Sequence, residues 1–223
     1  MEFNKNYSLC DCNNVFLDSK LDELFGQKEN GFFIELGANN GLLQSNTAFL
    51  EKNRNWNGIL IEPNVQNFEL CIKNRPNSIC YNYACVADNY GHNCIYGDFN
   101  LPHNDNISLM SSVNGVRLQN NTNNIAVPAA TLTDILDRQP LPKIDLLSLD
   151  VEGYEYSVLK GLNFKKYKPI YLLIEVYDFD FDEIVNYLIN NNYHLVCNFS
   201  NYNKQTNPNW DGTHNDFLFK LND

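Results

Sequence analysis

Short apolar runs separated by segments of helical periodicity follow one another along most of this 223-residue chain. This alternation is typical of β-α units on a mostly parallel sheet, and it predicts an α/β fold. Leu43, Thr47 and Leu50 share one helical face, so a helix is predicted directly after the first strand. The runs predicted as strands cover residues 31–36, 58–62, 79–86, 144–149, 170–176, 193–197 and 216–220.

The length of the chain fits one domain of ordinary size. Residues 1–30 are predicted to form an N-terminal cap in which Leu21, Leu24 and Phe25 pack onto the domain. Residues 91–126 contain few helical periods and many asparagines, so they are predicted to form a hairpin and a long irregular insertion. We therefore expect a single domain, residues 1–223, with one cap and one insertion.

Acidic residues outnumber basic ones, 27 to 16, which gives a net charge of −11. This balance argues against binding to a nucleic acid backbone and suits a neutral or cationic small ligand. The longest aliphatic and aromatic run, Ile170–Ile174, is far shorter than the about 20 residues that span a bilayer, so no membrane segment is expected. The N-terminus lacks a signal-peptide pattern and the seven scattered cysteines lack a zinc-binding pair, so we expect a cytoplasmic protein with reduced thiols.

Carboxylate side chains recur at or near the ends of the predicted strands. In an open parallel sheet, ligands bind outside the carboxyl ends of the strands. We therefore expect these side chains to line a ligand site of negative charge. They are Glu35, Glu62, Asp150 and Glu175.

The turn after the first predicted strand contains two glycines. Gly37 and Gly41 flank Ala38 and Asn39, and Gly37 allows the backbone to turn sharply and approach a ligand. A dinucleotide-binding fingerprint requires a glycine where Asn39 stands, so a bound pyrophosphate is disfavoured. Glu35, which opens the turn, adds negative charge against a phosphate.

Glu62 ends the second predicted strand, and Pro63 stands where a helix would begin. An ionised carboxylate only accepts hydrogen bonds and can bind both hydroxyls of a ribose. Together with the glycine turn, Glu62 predicts a site for S-adenosylmethionine, which contains adenosine, carries positive charge and has no phosphate. Adenine is expected against the end of the third strand, near Val86, Ala87 and Asp88.

Three carboxylates fall within six residues after the fourth predicted strand, at Asp150, Glu152 and Glu155. A solvated helix N-terminus explains Glu155, because the helix dipole favours acidic residues there. It explains Asp150 less well, because Asp150 stands at a strand end that faces the predicted cleft.

The segments Glu35–Gly41, Glu62–Pro63 and Asp150–Glu155 together resemble the FkbM family of S-adenosylmethionine-dependent methyltransferases, over about residues 31–219. The resemblance implies a Rossmann-like class I methyltransferase fold, with a seven-stranded, mostly parallel sheet, an antiparallel last strand and helices on both faces. It also implies O-methylation, with a sugar, a glycan precursor or another small alcohol as acceptor. The chain departs from the family pattern at Glu35, where Asp is usual, and at Ser148, where Lys is frequent.

An alcohol must lose its proton as it attacks a methyl group, so a base or a metal ion near its oxygen would help. Asp150 is the first candidate for the base, followed by Glu152, Glu175 and His214. Alternatively, Asp150 and Glu175 on adjacent strand ends would hold Mg²⁺, which lowers the pKa of the hydroxyl.

The acceptor side is expected to include Ser108–Ser112 of the insertion. Tyr154, Tyr177 and Phe179 would either stack on a sugar or pack in the core. Two other functions stay open: a NAD-dependent oxidoreductase, which would share Glu62 but lacks its third glycine here, and a non-catalytic S-adenosylmethionine-binding or scaffold protein. The sequence does not indicate the acceptor or the oligomeric state.

Overall fold

Helices and strands alternate along the chain much as the apolar runs predict. The computed structural model describes residues 5–99, 112–113, 125–208 and 210–223. Within these residues the elements are α1 (Leu17–Leu24), β1 (Phe32–Leu36), α2 (Ala48–Arg54), β2 (Asn57–Ile61), α3 (Val65–Asn74), β3 (Ile79–Tyr81), β4 (Ala84–Val86), β5 (Cys94–Asp98), β6 (Ser112–Val113), β7 (Ile125–Thr131), α4 (Leu132–Leu136), β8 (Leu146–Leu149), α5 (Glu155–Lys160), β9 (Tyr171–Tyr177), α6 (Phe181–Asn190), β10 (Tyr193–Asn198) and β11 (His214–Leu221).

Seven strands form the central sheet, in the order β10-β11-β9-β8-β1-β2-β3. The strands from β9 to β3 run parallel, whereas β11 lies antiparallel between β9 and β10. The predicted seven-stranded, mostly parallel sheet with an antiparallel last strand is therefore confirmed. The carboxyl ends of β1, β2, β8 and β9 share one edge, where ligands bind in open parallel sheets.

Helices cover both faces of this sheet, because the side chains of each buried strand alternate in direction. On β1, Phe33 packs with Leu21 of α1 and with Trp56, whereas Ile34 packs on the opposite face, which α4, α5 and α6 cover. Burial of each such side chain contributes about 1.5–3 kcal/mol to stability. In the described part of the chain, none of the helices combines the length and hydropathy that a bilayer crossing requires.

The third predicted strand, residues 79–86, is wrong as a single element, because the structure divides it into β3 and β4. Between them, Asn82 donates from Nδ2 to the carbonyl oxygens of Glu62 and Pro63, at 2.9 and 2.8 Å. The chain thus turns away from the central sheet, and β4 pairs with β7 in a second sheet of order β4-β7-β5-β6. This sheet holds the described strands of the predicted insertion, around a small core that includes Ile95 and Val127.

The helix after β1 begins later than the periodicity predicts. It starts at Ala48, and Leu43, which is expected on its buried face, is 42% exposed. Asn40 Oδ1 accepts the backbone N–H of Leu43, and Ser45 Oγ accepts that of Ala48. Such side-chain bonds compete with helical ones, so this segment forms a loop beside the carboxyl end of β1.

Candidate functional site

A cleft opens at the carboxyl ends of β1, β2 and β8. One wall consists of the turn after β1 and of Glu62, which follows β2. A second wall consists of the turn after β8, including Asp150, Glu152 and Tyr154. A third side is formed by Tyr83, Ala84, Cys85 and Phe99.

The turns after β1 and β8 meet at the backbone of Gly37. This residue has a φ of +74°, and a Cβ built on it would lie 1.7 Å from the carbonyl oxygen of Asp150. Any side chain at this position would push the two turns apart. Asn39 follows with a φ of +49°, a conformation that asparagine adopts more readily than most residues. Gly37 and Asn39 both line the cleft, and Gly37 also joins two of its walls.

Glu62 presents a carboxylate whose orientation is set by the backbone. Its Oε2 accepts the N–H of Asn39 and its Oε1 accepts the N–H of Asn64, both at 2.8 Å. Burial raises the pKa of Glu62 to about 7. Each oxygen of a carboxylate can accept two hydrogen bonds, so each keeps one acceptor position after these contacts. Glu62 therefore lines the cleft with two fixed acceptor atoms.

Glu35 has a different environment, because its carboxylate is surrounded by protein donors. Ser45 Oγ, the N–H of Asn46 and Thr47 Oγ1 all donate to it, at 2.6–3.0 Å. Arg75, which is fully buried, lies 3.5 Å away through Nη1. Glu35 does not line the cleft, which corrects the expectation that it faces a ligand. It supports the loop before α2 instead.

Sequence reasoning missed Arg75, which follows α3 and contacts this loop. Its Nε donates to Glu51 at 2.8 Å, and its guanidinium also donates to the carbonyl oxygen of Gly41 and to Thr47 Oγ1, each at 2.9 Å. The same loop carries Leu43 and Gln44 to the cleft. Arg75 thus supports the cleft wall from behind.

Acidic side chains from β8, α5 and β9 come together behind the Asp150 wall. Asp150, Glu155 and Glu175 each offer a carboxylate oxygen, and these atoms lie within 4.8 Å of one another. We call these three residues the acidic cluster. Burial, reinforced by Glu152 and Asp216, raises the pKa of Asp150 well above its ordinary value, and burial together with Asp150 does the same for Glu175.

Glu155 is buried rather than solvated, so the expectation of a simple solvated helix N-terminus is wrong. Its Oε1 accepts the backbone N–H of Val151 at 2.9 Å and that of Gly153 at 3.2 Å. These bonds hold the turn in which Glu152 adopts a left-handed φ of +59°. Burial raises the pKa of Glu155 to about 7.

His214 and Asp216 extend the acidic cluster from β11. His214 Nε2 lies 3.3 Å from Glu175 Oε1, so the structure brings this predicted base to the cluster, although His214 does not line the cleft. Asp216 pairs with Glu175 in the strand register and hydrogen-bonds with the buried Tyr202. Sequence reasoning did not single out Asp216 as a site residue.

Of the other residues predicted to bind the cofactor, some line the cleft and others do not. Pro63 lines the cleft, whereas Ala38 is buried in the core and Gly41 packs against Arg75. The structure does not bring Val86, Ala87 or Asp88 to the cleft, where Tyr83, Ala84 and Cys85 take the expected place. The reason is that β4 ends against Gly161, the residue directly after α5. The backbones are so close that a Cβ on Gly161 would lie 2.1 Å from the carbonyl oxygen of Val86.

The three aromatic residues predicted to stack on a sugar or pack in the core lie in different environments. Tyr154 lines the cleft, and the buried Tyr177 donates to Glu152 Oε2 at 3.0 Å. Phe179 is 55% exposed, with its ring 5.4 Å from that of Tyr177. Residues 108–111 of the expected acceptor side lie outside the described residues.

One family of known proteins matches most of this chain. The model of the methyltransferase FkbM domain matches residues 35–195, which is more than half of the chain. The chain belongs to the FkbM methyltransferase family. No curated protein sequence matches it.

Solved structures resemble this chain at low sequence identity. The 23S rRNA methyltransferase ErmE has a TM-score of 0.51 and 9% identity, over 96% of this chain and 70% of that chain. A precorrin-6y C5,15-methyltransferase from Geobacter metallireducens GS-15 has a TM-score of 0.49 and 10% identity, over 92% and 87%. M. capricolum TrmK, solved with S-adenosyl-homocysteine, has a TM-score of 0.48 and 10% identity, over 91% and 68%.

Family and fold together identify this FkbM protein as a class I S-adenosylmethionine-dependent methyltransferase. The match favours methyl transfer over the NAD-dependent oxidoreductase that the sequence left open. The cleft at the carboxyl edge is therefore the candidate site for the cofactor.

Replacing Arg75 with Met should lower the free energy of unfolding by about 3–5 kcal/mol, because Glu51 and Glu35 would lose a buried ionic partner. Urea unfolding followed by circular dichroism measures this loss. Lys73→Met, an exposed change in α3 two residues before Arg75, is the control and should stay within about 0.5 kcal/mol of the wild type. Equal stabilities for the two variants would contradict a supporting role for Arg75.

Proposed function

We propose that this methyltransferase transfers the methyl group of S-adenosylmethionine to a hydroxyl group of a sugar or another small molecule. The observation that carries the proposal is that Asp150 belongs both to the cleft wall and to the buried acidic cluster. Carboxyl groups that can accept a hydroxyl proton thus adjoin the candidate cofactor site. The acceptor class follows the family resemblance.

The cleft fits the nucleoside part of the cofactor. Glu62 keeps one acceptor position on each carboxylate oxygen, which suits the two hydroxyls of a ribose. Gly37 and Asn39 leave backbone accessible beside it, and Pro63 with Tyr83 offers a surface for adenine. The negative charge of Asp150 and Glu152 on the second wall suits the cationic methionine part.

Bound S-adenosylmethionine supplies a methyl group on a positively charged sulfur, and its transfer to an alcohol oxygen gives a methyl ether, S-adenosylhomocysteine and one proton. The protein must orient the alcohol, exclude water and assist the departure of that proton. Asp150 can assist as a base or as the ligand of a cation, and both roles require its carboxylate. Glu175 lies behind it, and His214 Nε2 is 3.3 Å from Glu175 Oε1.

Charge favours a small acceptor over a nucleic acid. ErmE, which shares the fold, is an rRNA methyltransferase, but a protein that binds RNA needs a basic surface to hold phosphates. This chain carries a net charge of −11, and Glu62, Asp150 and Glu152 line the cleft itself. A neutral alcohol such as a sugar is compatible with these groups.

Replacing Glu62 with Gln should weaken S-adenosylhomocysteine binding by ~1.5–3 kcal/mol, the cost of losing charge-assisted hydrogen bonds. Isothermal titration calorimetry measures the change. Glu69→Gln, on the exposed face of α3, is the control and should bind as the wild type does. Unchanged affinity in Glu62→Gln would place the ribose elsewhere.

Adenosine affinity should increase from about pH 6 to about pH 8, because burial raises the pKa of Glu62 to about 7 and the ionised carboxylate is the better acceptor. Below that pKa, affinity should fall by up to about tenfold for each pH unit. Adenosine is the suitable ligand because it has no group that titrates near neutrality. Affinity in Glu62→Gln should not change with pH; a wild-type profile equally flat would contradict the assignment.

Asp150→Asn should reduce methyl transfer by ~10²–10⁴-fold, the usual contribution of acid–base assistance. The assay incubates the protein with S-adenosylmethionine and a panel of sugars and small alcohols, and detects methyl ethers by mass spectrometry. Asp182→Asn, an exposed change in α6, should keep wild-type turnover. Turnover that survives in Asp150→Asn would exclude Asp150 both as the base and as the ligand of a cation. Cofactor binding without methylation of any acceptor would instead support a non-catalytic binding protein.

A further inference from the structure

The acidic cluster contains a buried oxygen that no protein donor satisfies. The Glu175 side chain is 9% exposed. Its Oε1 faces His214, whereas its Oε2 has no hydrogen-bond partner among the described residues. The Asp150 carboxyl lies within hydrogen-bond reach of Glu175. Two ionised carboxylates cannot donate to each other, so this contact requires either a shared proton or a cation.

The charge around this oxygen is strongly unbalanced. Asp216 and Glu152 add negative charge to the cluster. Among the described residues, His214 is the one basic side chain in an ion pair with Asp150, Glu155 or Glu175. The buried Glu35 shows the contrast, because hydroxyl and amide donors and Arg75 surround it. Donors to the acidic cluster are fewer in the described residues: the N–H groups of Val151 and Gly153 reach Glu155, and His214 faces Glu175.

We propose that Asp150, Glu155 and Glu175 bind a divalent cation of the Mg²⁺ and Mn²⁺ class. All three donors are carboxylate oxygens, and they lie within 4.8 Å of one another, so one ion can contact all of them. Hard cations prefer such oxygen ligands, whereas Zn²⁺ and Cu²⁺ prefer nitrogen and sulfur. Oε2 of Glu175 supplies the ligand that the protein leaves unused.

The position of the site indicates what the cation does, and this part of the inference rests on the proposed function. Asp150 is shared by the cluster and the cleft wall. A cation bound there would lie beside the acceptor and could bind its hydroxyl oxygen directly. Coordination lowers the pKa of a bound hydroxyl and fixes its orientation. Asp150 would then act as a metal ligand rather than as a free base.

The direct test is a titration of Mn²⁺ into the full chain, which a chelator has first freed of metal. Electron paramagnetic resonance measures the bound Mn²⁺. We expect one saturable site for which Mg²⁺ competes. Glu175→Gln and Asp150→Asn, which keep the shape of each side chain, should weaken Mn²⁺ binding by at least ~10-fold. Asp182→Asn, an exposed change in α6, is the control, because it removes one negative charge without touching the acidic cluster. It should keep Mn²⁺ affinity within a few-fold of the wild type.

Thermal unfolding shows whether each variant is folded: Mg²⁺ should raise the melting temperature of the wild type and of Asp182→Asn, but not that of folded Glu175→Gln. Absence of saturable Mn²⁺ binding, or an equal loss in all three variants, would overturn the proposal in favour of shared protons. Methyl transfer that continues fully in chelator would also overturn it while leaving the proposed function intact. Metal binding without methylation of any alcohol would support the cation site and contradict the proposed function.

Discussion

The whole arrangement depends on how buried negative charge is compensated at the carboxyl edge of the sheet. Burial of an ionised carboxylate is costly unless donors or cations surround it. Glu35 has hydroxyls, an amide and Arg75 around it, so groups of the protein itself compensate its charge. Glu62 has two backbone amides and keeps acceptor positions for a ligand. Asp150, Glu155 and Glu175 repel one another, so they favour a positively charged ligand. The partners of each carboxylate, rather than its position at a strand end, separate structural from functional residues.

Backbone contacts hold these charges at fixed positions. Gly37 allows the turn after β1 to touch the carbonyl oxygen of Asp150, and Glu155 holds the turn after β8 from within. The ribose-binding wall proposed at Glu62 and the acidic wall at Asp150 are therefore parts of one rigid unit. Such preorganisation is what methyl transfer needs, because its rate depends mainly on alignment and on exclusion of water.

The sequence predicted the architecture well, since apolar runs such as 144–149 and 170–176 are long enough to identify buried strands. It also placed Glu62 and Asp150 at the cleft, because residues that follow parallel strands share one edge. It failed where long-range partners decide the outcome. Nothing local to Glu35 shows that Arg75, 40 residues later, lies against it. The acidic pattern that opens α5 looks the same for a solvated and for a buried Glu155. The turn at Asn82, which removes Val86–Asp88 from the cleft, depends on carbonyl groups of another segment.

A crystal structure of the protein with S-adenosylhomocysteine tests the central claim most directly. The account predicts that both ribose hydroxyls donate to the Glu62 carboxylate and that the sulfur points toward the wall formed by Asp150. A ribose bound away from Glu62, or a sulfur remote from the acidic cluster, would contradict it.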